Sequence, residues 1–113
     1  MRIVEIITGL GLGGSETALA RRLKYQPPGV RTTVVNTLPH LDHYSGQVRR
    51  YAQNLIDIEF SRISARSLNS LLRDTKPNVV ITHSPRETIR LQRSHLPNSV
   101  RHVAAVHNSI ASP

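Results

Sequence analysis

Short apolar runs rich in β-branched residues alternate with amphipathic segments along this chain. Residues 3–8, with Ile3, Val4, Ile6, Ile7 and Thr8, form a nearly continuous run of the kind expected for a strand buried on both faces. Glycines follow over 9–14. Residues 15–25 then carry Ala18, Leu19 and Leu23 at helical spacing, with Arg21, Arg22 and Lys24 mostly between them. Pro27-Pro28-Gly29 stops that helix. A second β-branched run over 31–37 leads into a polar, turn-like stretch, 38–46, containing Pro39, Asp42 and Ser45. The pattern predicts a short helix over 47–54 and a third strand over 55–60. Ser64 is placed to cap a helix running to Asp74, with Leu68, Leu71 and Leu72 at i, i+3 and i+4, and Pro77 marks its end. A fourth strand over 79–82, a helix over 85–93 and a fifth strand over 100–106 complete the series. The fold class that follows is α/β: a Rossmann-like parallel sheet of about five strands with helices on both faces and right-handed crossovers.

At 113 residues the chain is long enough for one domain and a single core. With no cysteine it has no disulfide framework, zinc ribbon or thiol nucleophile. No apolar run approaches the ~20 residues of a membrane span, and the N-terminal segment runs into glycines rather than a cleavage site, so a cytoplasmic location is expected. The net charge of +8 comes from thirteen Arg and two Lys spread from Arg2 to Arg101. With only Tyr25, Tyr44, Tyr51 and Phe60 as aromatics, a stacking platform for single strands is poorly supplied, and solvated helix faces are preferred over a nucleic-acid footprint.

Gly9, Gly11 and Gly14 satisfy G-x-G-x-x-G between the first strand and the first helix. Such a loop allows a tight turn and presents helix N-terminal N–H groups to a phosphate. A dinucleotide site also needs an Asp or Glu about 20 residues on, at the end of strand two. Asn36-Thr37 stands there instead, and Asp42 lies well past the strand end. A glycine turn with no ligand is the competing reading.

Three segments carry a sharper signal. Gly13-Gly14-Ser15-Glu16 follows the first strand. Lys76-Pro77-Asn78-Val79-Val80-Ile81-Thr82-His83 contains the fourth. Val103-Ala104-Ala105-Val106-His107, followed by Asn108, contains the fifth. In order and spacing these resemble the "G-x-G-G-[AS]-E", "K-P-D-V-V-x-x-H" and "V-x-T-x-H" segments of family 4 glycosyltransferases, with Asn78 where Asp is usual. The resemblance implies a GT-B architecture of two Rossmann-like domains across a cleft. Residues 1–113 would be an incomplete N-terminal, acceptor-side domain, and the donor-binding C-terminal domain, with its Arg/Lys pair and two-glutamate motif, would be absent. It further implies retaining transfer of a sugar from a nucleotide-sugar to a hydroxyl acceptor, with no cofactor and no obligatory metal. His107 would be the active-site histidine. Amides around Gly13, Gly14 and Ser15 would approach the donor diphosphate, and Glu16, His83, Ser84 and Asn108 would line the acceptor side. The partner implied is a donor-binding domain in cis or trans, without which the chain alone would be inactive. A non-enzymatic half, or one half of a split transferase, is the alternative.

Other groupings are weaker. His40, Asp42 and His43 invite a metal reading, but the loop is short and no further ligand is fixed. Asp57 and Glu59 resemble an acidic diphosphate motif only superficially, and no G-x-S-x-G elbow exists. Arg86, Arg90 and Arg93 fall at i, i+4 and i+7, a stripe that would suit peripheral contact with an anionic membrane, although a solvated face is the simpler reading.

Overall fold

In the computed structural model, which describes residues 1–11, 14–94 and 96–105, every strand expected from the pattern is present. In chain order the elements are β1 (Arg2–Ile7), α1 (Gly14–Lys24), β2 (Arg31–Asn36), α2 (Ser45–Tyr51) and β3 (Asn54–Asp57). A 3₁₀ turn (Phe60–Arg62) follows, then α3 (Ala65–Thr75), β4 (Val79–Thr82), α4 (Pro85–Gln92) and β5 (Arg101–Ala104). The sheet runs β3-β2-β1-β4-β5, and all four pairings are parallel. The order reverses between β1 and β4, so the carboxyl ends of these two strands are the topological switch point, where open α/β sheets receive their ligands. This is a Rossmann-like α/β fold.

Side chains alternate across the pleat, and each face of the sheet therefore builds its own core. Val4, Ile6, Val35 and Val80 point to the side of α3 and α4, where they meet Leu68, Leu72, Leu91 and Ile63. Ile7, Val34 and Leu55 point to the other side and meet Leu19 and Leu23 of α1 and Val48 of α2. β1 and β2 are covered on both faces, which is why they read as nearly continuous β-branched runs, interrupted in β1 by Glu5, rather than as alternation. β5 differs: Val103 is 41% exposed, and no residue of the strand is fully buried. His102 is tied in by its Nε2, 2.9 Å from Thr82 Oγ1, and burial holds its imidazole below the ordinary histidine range.

Two boundaries depart from the sequence pattern. The third strand stops at Asp57 because the chain turns away from the sheet just beyond it: Glu59, still extended, is the N-cap of the 3₁₀ turn that opens at Phe60, and Phe60 N donates to Thr37 O at 3.1 Å. α2 ends at Tyr51 because Gln53 N already donates to Thr32 O at 2.7 Å, drawing the chain into the sheet. Elsewhere local chemistry acts as expected. Ser64 and Ser67 form a reciprocal capping box on α3. Asn78 accepts from Arg2 N through Oδ1 at 2.8 Å, which docks the start of β4 beside β1. No helix among the described residues is long and apolar enough to cross a membrane.

Candidate functional site

The carboxyl ends of β1, β2 and β4 converge, and each contributes a polar residue directly after or at its last pleat. Beyond β1, Gly9 takes φ +85°, a left-handed conformation that favours glycine, and a Cβ there would lie 2.8 Å from Leu41 Cδ1. The close approach has a cause. Leu10 N donates to Leu41 O at 2.6 Å, and Tyr44 N donates to Leu10 O at 2.8 Å, so the 38–46 loop lies against the base of the glycine loop. Asn36, at the end of β2, reinforces this arrangement. Its Oδ1 accepts from Gly9 N at 3.0 Å and from Leu38 N at 3.1 Å. Two amides thus fix the Asn36 oxygen, while its Nδ2 is buried without a partner.

On the α4 side of the sheet, Glu87 reaches back over the strand ends. Ser84 is the N-cap of α4, and its Oγ accepts from Glu87 N at 3.5 Å, with Pro85 at the first helical position. The Ser-Pro-Arg-Glu spacing is that of a capping box, in which the glutamate would return to the Ser84 amide. It does not. Glu87 Oε1 instead accepts from Thr8 Oγ1 at 2.5 Å and from Thr37 Oγ1 at 2.6 Å, which ties the ends of β1 and β2 to the first turn of α4. The side chain is 2% exposed, and Oε2 has no hydrogen-bond partner.

On the opposite side of the sheet lies a second buried carboxylate. Glu5, in the middle of β1, accepts from Arg22 Nη1 and Nη2 of α1 and from His83 Nε2, which follows β4. Burial alone would push the Glu5 carboxyl up. The hydrogen bonds from His83 and Arg22, with their charges, outweigh it and hold the group below the ordinary carboxylate range. Glu5 in turn raises the Arg22 guanidinium further.

Against this frame, the residues singled out by sequence fall into three groups. His83 and Ser84 stand together after β4 as expected, but each is already engaged: the His83 imidazole is 4% exposed and bonded to Glu5, and the Ser84 hydroxyl caps α4. Gly14, Ser15 and Glu16 form the first turn of α1, with Glu16 partly buried. Gly13, His107 and Asn108 lie outside the described residues. Among the described residues, no three His, Asp or Glu side chains gather as a metal-binding group. Glu5, Arg22, Thr37 and Glu87 were not singled out. A signal existed for Glu5, a charge inside an otherwise apolar strand run, and for Glu87, an acid three residues after a Ser-Pro helix start.

No known family model matches the chain, and no curated protein matches it significantly.

Proposed function

We propose that this chain is the acceptor-side half of a nucleotide-sugar-dependent, retaining glycosyltransferase of GT-B type. The observation that carries the reading is the contact between Thr8 and Ser84, whose hydroxyls lie 3.3 Å apart across 76 positions of sequence. The strand that feeds the Gly13-Gly14-Ser15-Glu16 loop and the His83-Ser84 rim, two of the three motif segments, thereby meet at the carboxyl ends of β1 and β4. Open parallel sheets receive their ligands there. In this reading, amides around Gly13, Gly14 and Ser15 approach the donor diphosphate, where a residue without Cβ gives the backbone access. His107 orients the reacting hydroxyl and sugar, and Glu16, His83, Ser84 and Asn108 frame the acceptor. A donor-binding domain, in cis or in trans, supplies the other wall of the cleft. Cytoplasmic action with peripheral contact at an anionic membrane is consistent with this role.

The test is a transfer assay with the chain joined to, or mixed with, a donor-binding domain of this architecture and a panel of nucleotide-sugars. Transfer is expected, together with a large loss of turnover in His107→Ala. Unchanged turnover in that variant removes His107 from the chemistry. Calorimetry on the chain alone separates the division of labour: tight nucleotide-sugar binding without a partner domain would contradict a donor site located elsewhere.

A further inference from the structure

Phe60, in the 3₁₀ turn after β3, carries two cations on its ring. The guanidinium carbon of Arg86 lies 4.0 Å from the ring centroid, and that of Arg90 lies 4.8 Å away. The two arginines are one turn apart on α4, a spacing at which like charges repel. The electron-rich ring face offsets that repulsion and fixes both guanidinium groups. Among the described residues, the one carboxylate in ion-pair contact with either arginine is Glu87, whose Oε1 stands 3.6 Å from Arg86 Nη2 and already accepts from Thr8 and Thr37. Arg90 has no ion pair among the described residues, and the Arg86 side chain is 45% exposed. Exposed Arg62, in the same 3₁₀ turn, and exposed Arg93, just past α4, add to the local positive potential.

We propose that the Arg86–Phe60–Arg90 stack is a binding site for the phosphomonoester group of a ligand. Two forked guanidinium groups suit a dianion with several acceptor oxygens, which can take a bidentate pair from each. Nucleic acid fits less well, because the single aromatic ring is already occupied by the arginines and offers no face for a base. The site follows from the stack alone and does not depend on sugar transfer.

The experiment is a titration of the isotope-labelled 113-residue chain with glycerol phosphate at constant ionic strength, read at the Arg86 and Arg90 side-chain signals and the Phe60 ring. Saturable shifts are expected. Arg86→Gln and Arg90→Gln should each weaken binding by about tenfold, the loss expected for a charge-assisted pair. Phe60→Leu, which keeps both charges but removes the ring, should weaken it by a few fold, on the order of one cation–π contact. Arg73→Gln, on exposed α3 surface, should leave it unchanged. A parallel arm uses vesicles containing phosphatidate. Dependence on Arg86 and Arg90 in the soluble arm assigns a free phosphate ester, and the same dependence in the vesicle arm alone assigns a lipid headgroup. Shifts that never saturate, or an Arg73→Gln loss equal to that of Arg86→Gln, would overturn the proposal.

Discussion

Arg22 of α1 grips Glu5 of β1 through both terminal guanidinium nitrogens, at 3.0 and 2.8 Å, while His83 Nε2 reaches the same carboxylate at 2.7 Å from the β4 side. The carboxylate is 1% exposed, whereas the Arg22 side chain is 51% exposed. The pair therefore straddles the boundary of the core: the acid is desolvated and needs both partners, and the guanidinium keeps part of its hydration. Three elements, β1, α1 and the end of β4, are joined through one buried charge.

Removing the cation from this arrangement leaves the acid without half of its compensation. Arg22→Ala should destabilise the fold by about 2 kcal/mol, less than the 3–5 kcal/mol typical of breaking a fully buried pair, because solvent screens the exposed guanidinium. Arg22→Lys should recover only part of the loss, since an ammonium cannot donate in the same bidentate fork. Urea denaturation of the three proteins decides this. Equal stability of Arg22→Ala and the parent would show that His83 alone suffices for Glu5.

The same carboxylate makes stability depend on pH. Its native pKa is held below the unfolded value, so its contribution is complete above the ordinary carboxylate range and is lost as pH falls through the lowered native value. Stability should therefore decline on acidification below about pH 5, where the unfolded chain begins to take up the proton. Glu5→Gln should flatten that decline while lowering stability at neutral pH. Denaturant midpoints of both proteins between pH 3 and pH 7 provide the check, and parallel curves would exclude Glu5 as the source.

Why the frame of this fold is legible in sequence, and its polar joints are not, follows from the same residues. Double burial leaves a direct mark on β1 and β2, because nearly every pleat position favours an apolar or β-branched side chain. Ser64, Pro77 and Ser84 act within a few residues of themselves, so the ends of α3 and α4 can be read locally. Glu87 cannot be read that way. Its local pattern points to the Ser84 amide, and its actual partners, Thr8 and Thr37, lie 79 and 50 positions away. Glu5 is conspicuous in its strand, but nothing local distinguishes Arg22 from Arg21 as its partner. β5 reads as a strand in the sequence, but its exposure does not, because covering a strand depends on elements that its own residues do not specify.

Gly9 ties the glycine loop to the loop after β2, and that coupling can be measured. Gly9→Ala meets two penalties, a left-handed φ and a Cβ placed 2.8 Å from Leu41 Cδ1 and 3.0 Å from Leu41 Cβ. The combined cost should be about 1–3 kcal/mol. Leu41→Ala, at a site 39% exposed, should cost under about 1 kcal/mol alone. In the double variant it should relieve the Cδ1 clash but neither the φ strain nor the Cβ contact. A double-mutant cycle is expected to show favourable coupling of about 0.5–1 kcal/mol. Strict additivity would mean that the 38–46 loop gives way without resistance.

Glu87 is the joint on which the carboxyl ends of β1 and β2 depend. Glu87→Ala leaves Thr8 and Thr37 with only their weaker alternatives, Ser84 Oγ at 3.3 Å and Ile7 O at 3.2 Å. The expected cost is about 1–3 kcal/mol, that of stranding buried hydroxyls and opening a small void. Glu87→Gln keeps an acceptor oxygen for both threonines and places its amide where Oε2 already lacks a partner, so it should cost less than Glu87→Ala. The effect should also be local. Thr37 N bonds to Ile7 O at 2.9 Å and His83 N to Ile6 O at 3.1 Å, both at the threatened end of the sheet. Arg31 N bonds to Met1 O at 2.9 Å, at the far end. Amide exchange at Thr37 and His83 should accelerate in Glu87→Ala by more than global destabilisation accounts for, while Arg31 changes only by the global amount. Uniform acceleration of all three amides would reduce Glu87 to an ordinary buried contact and remove its role in holding the strand ends together.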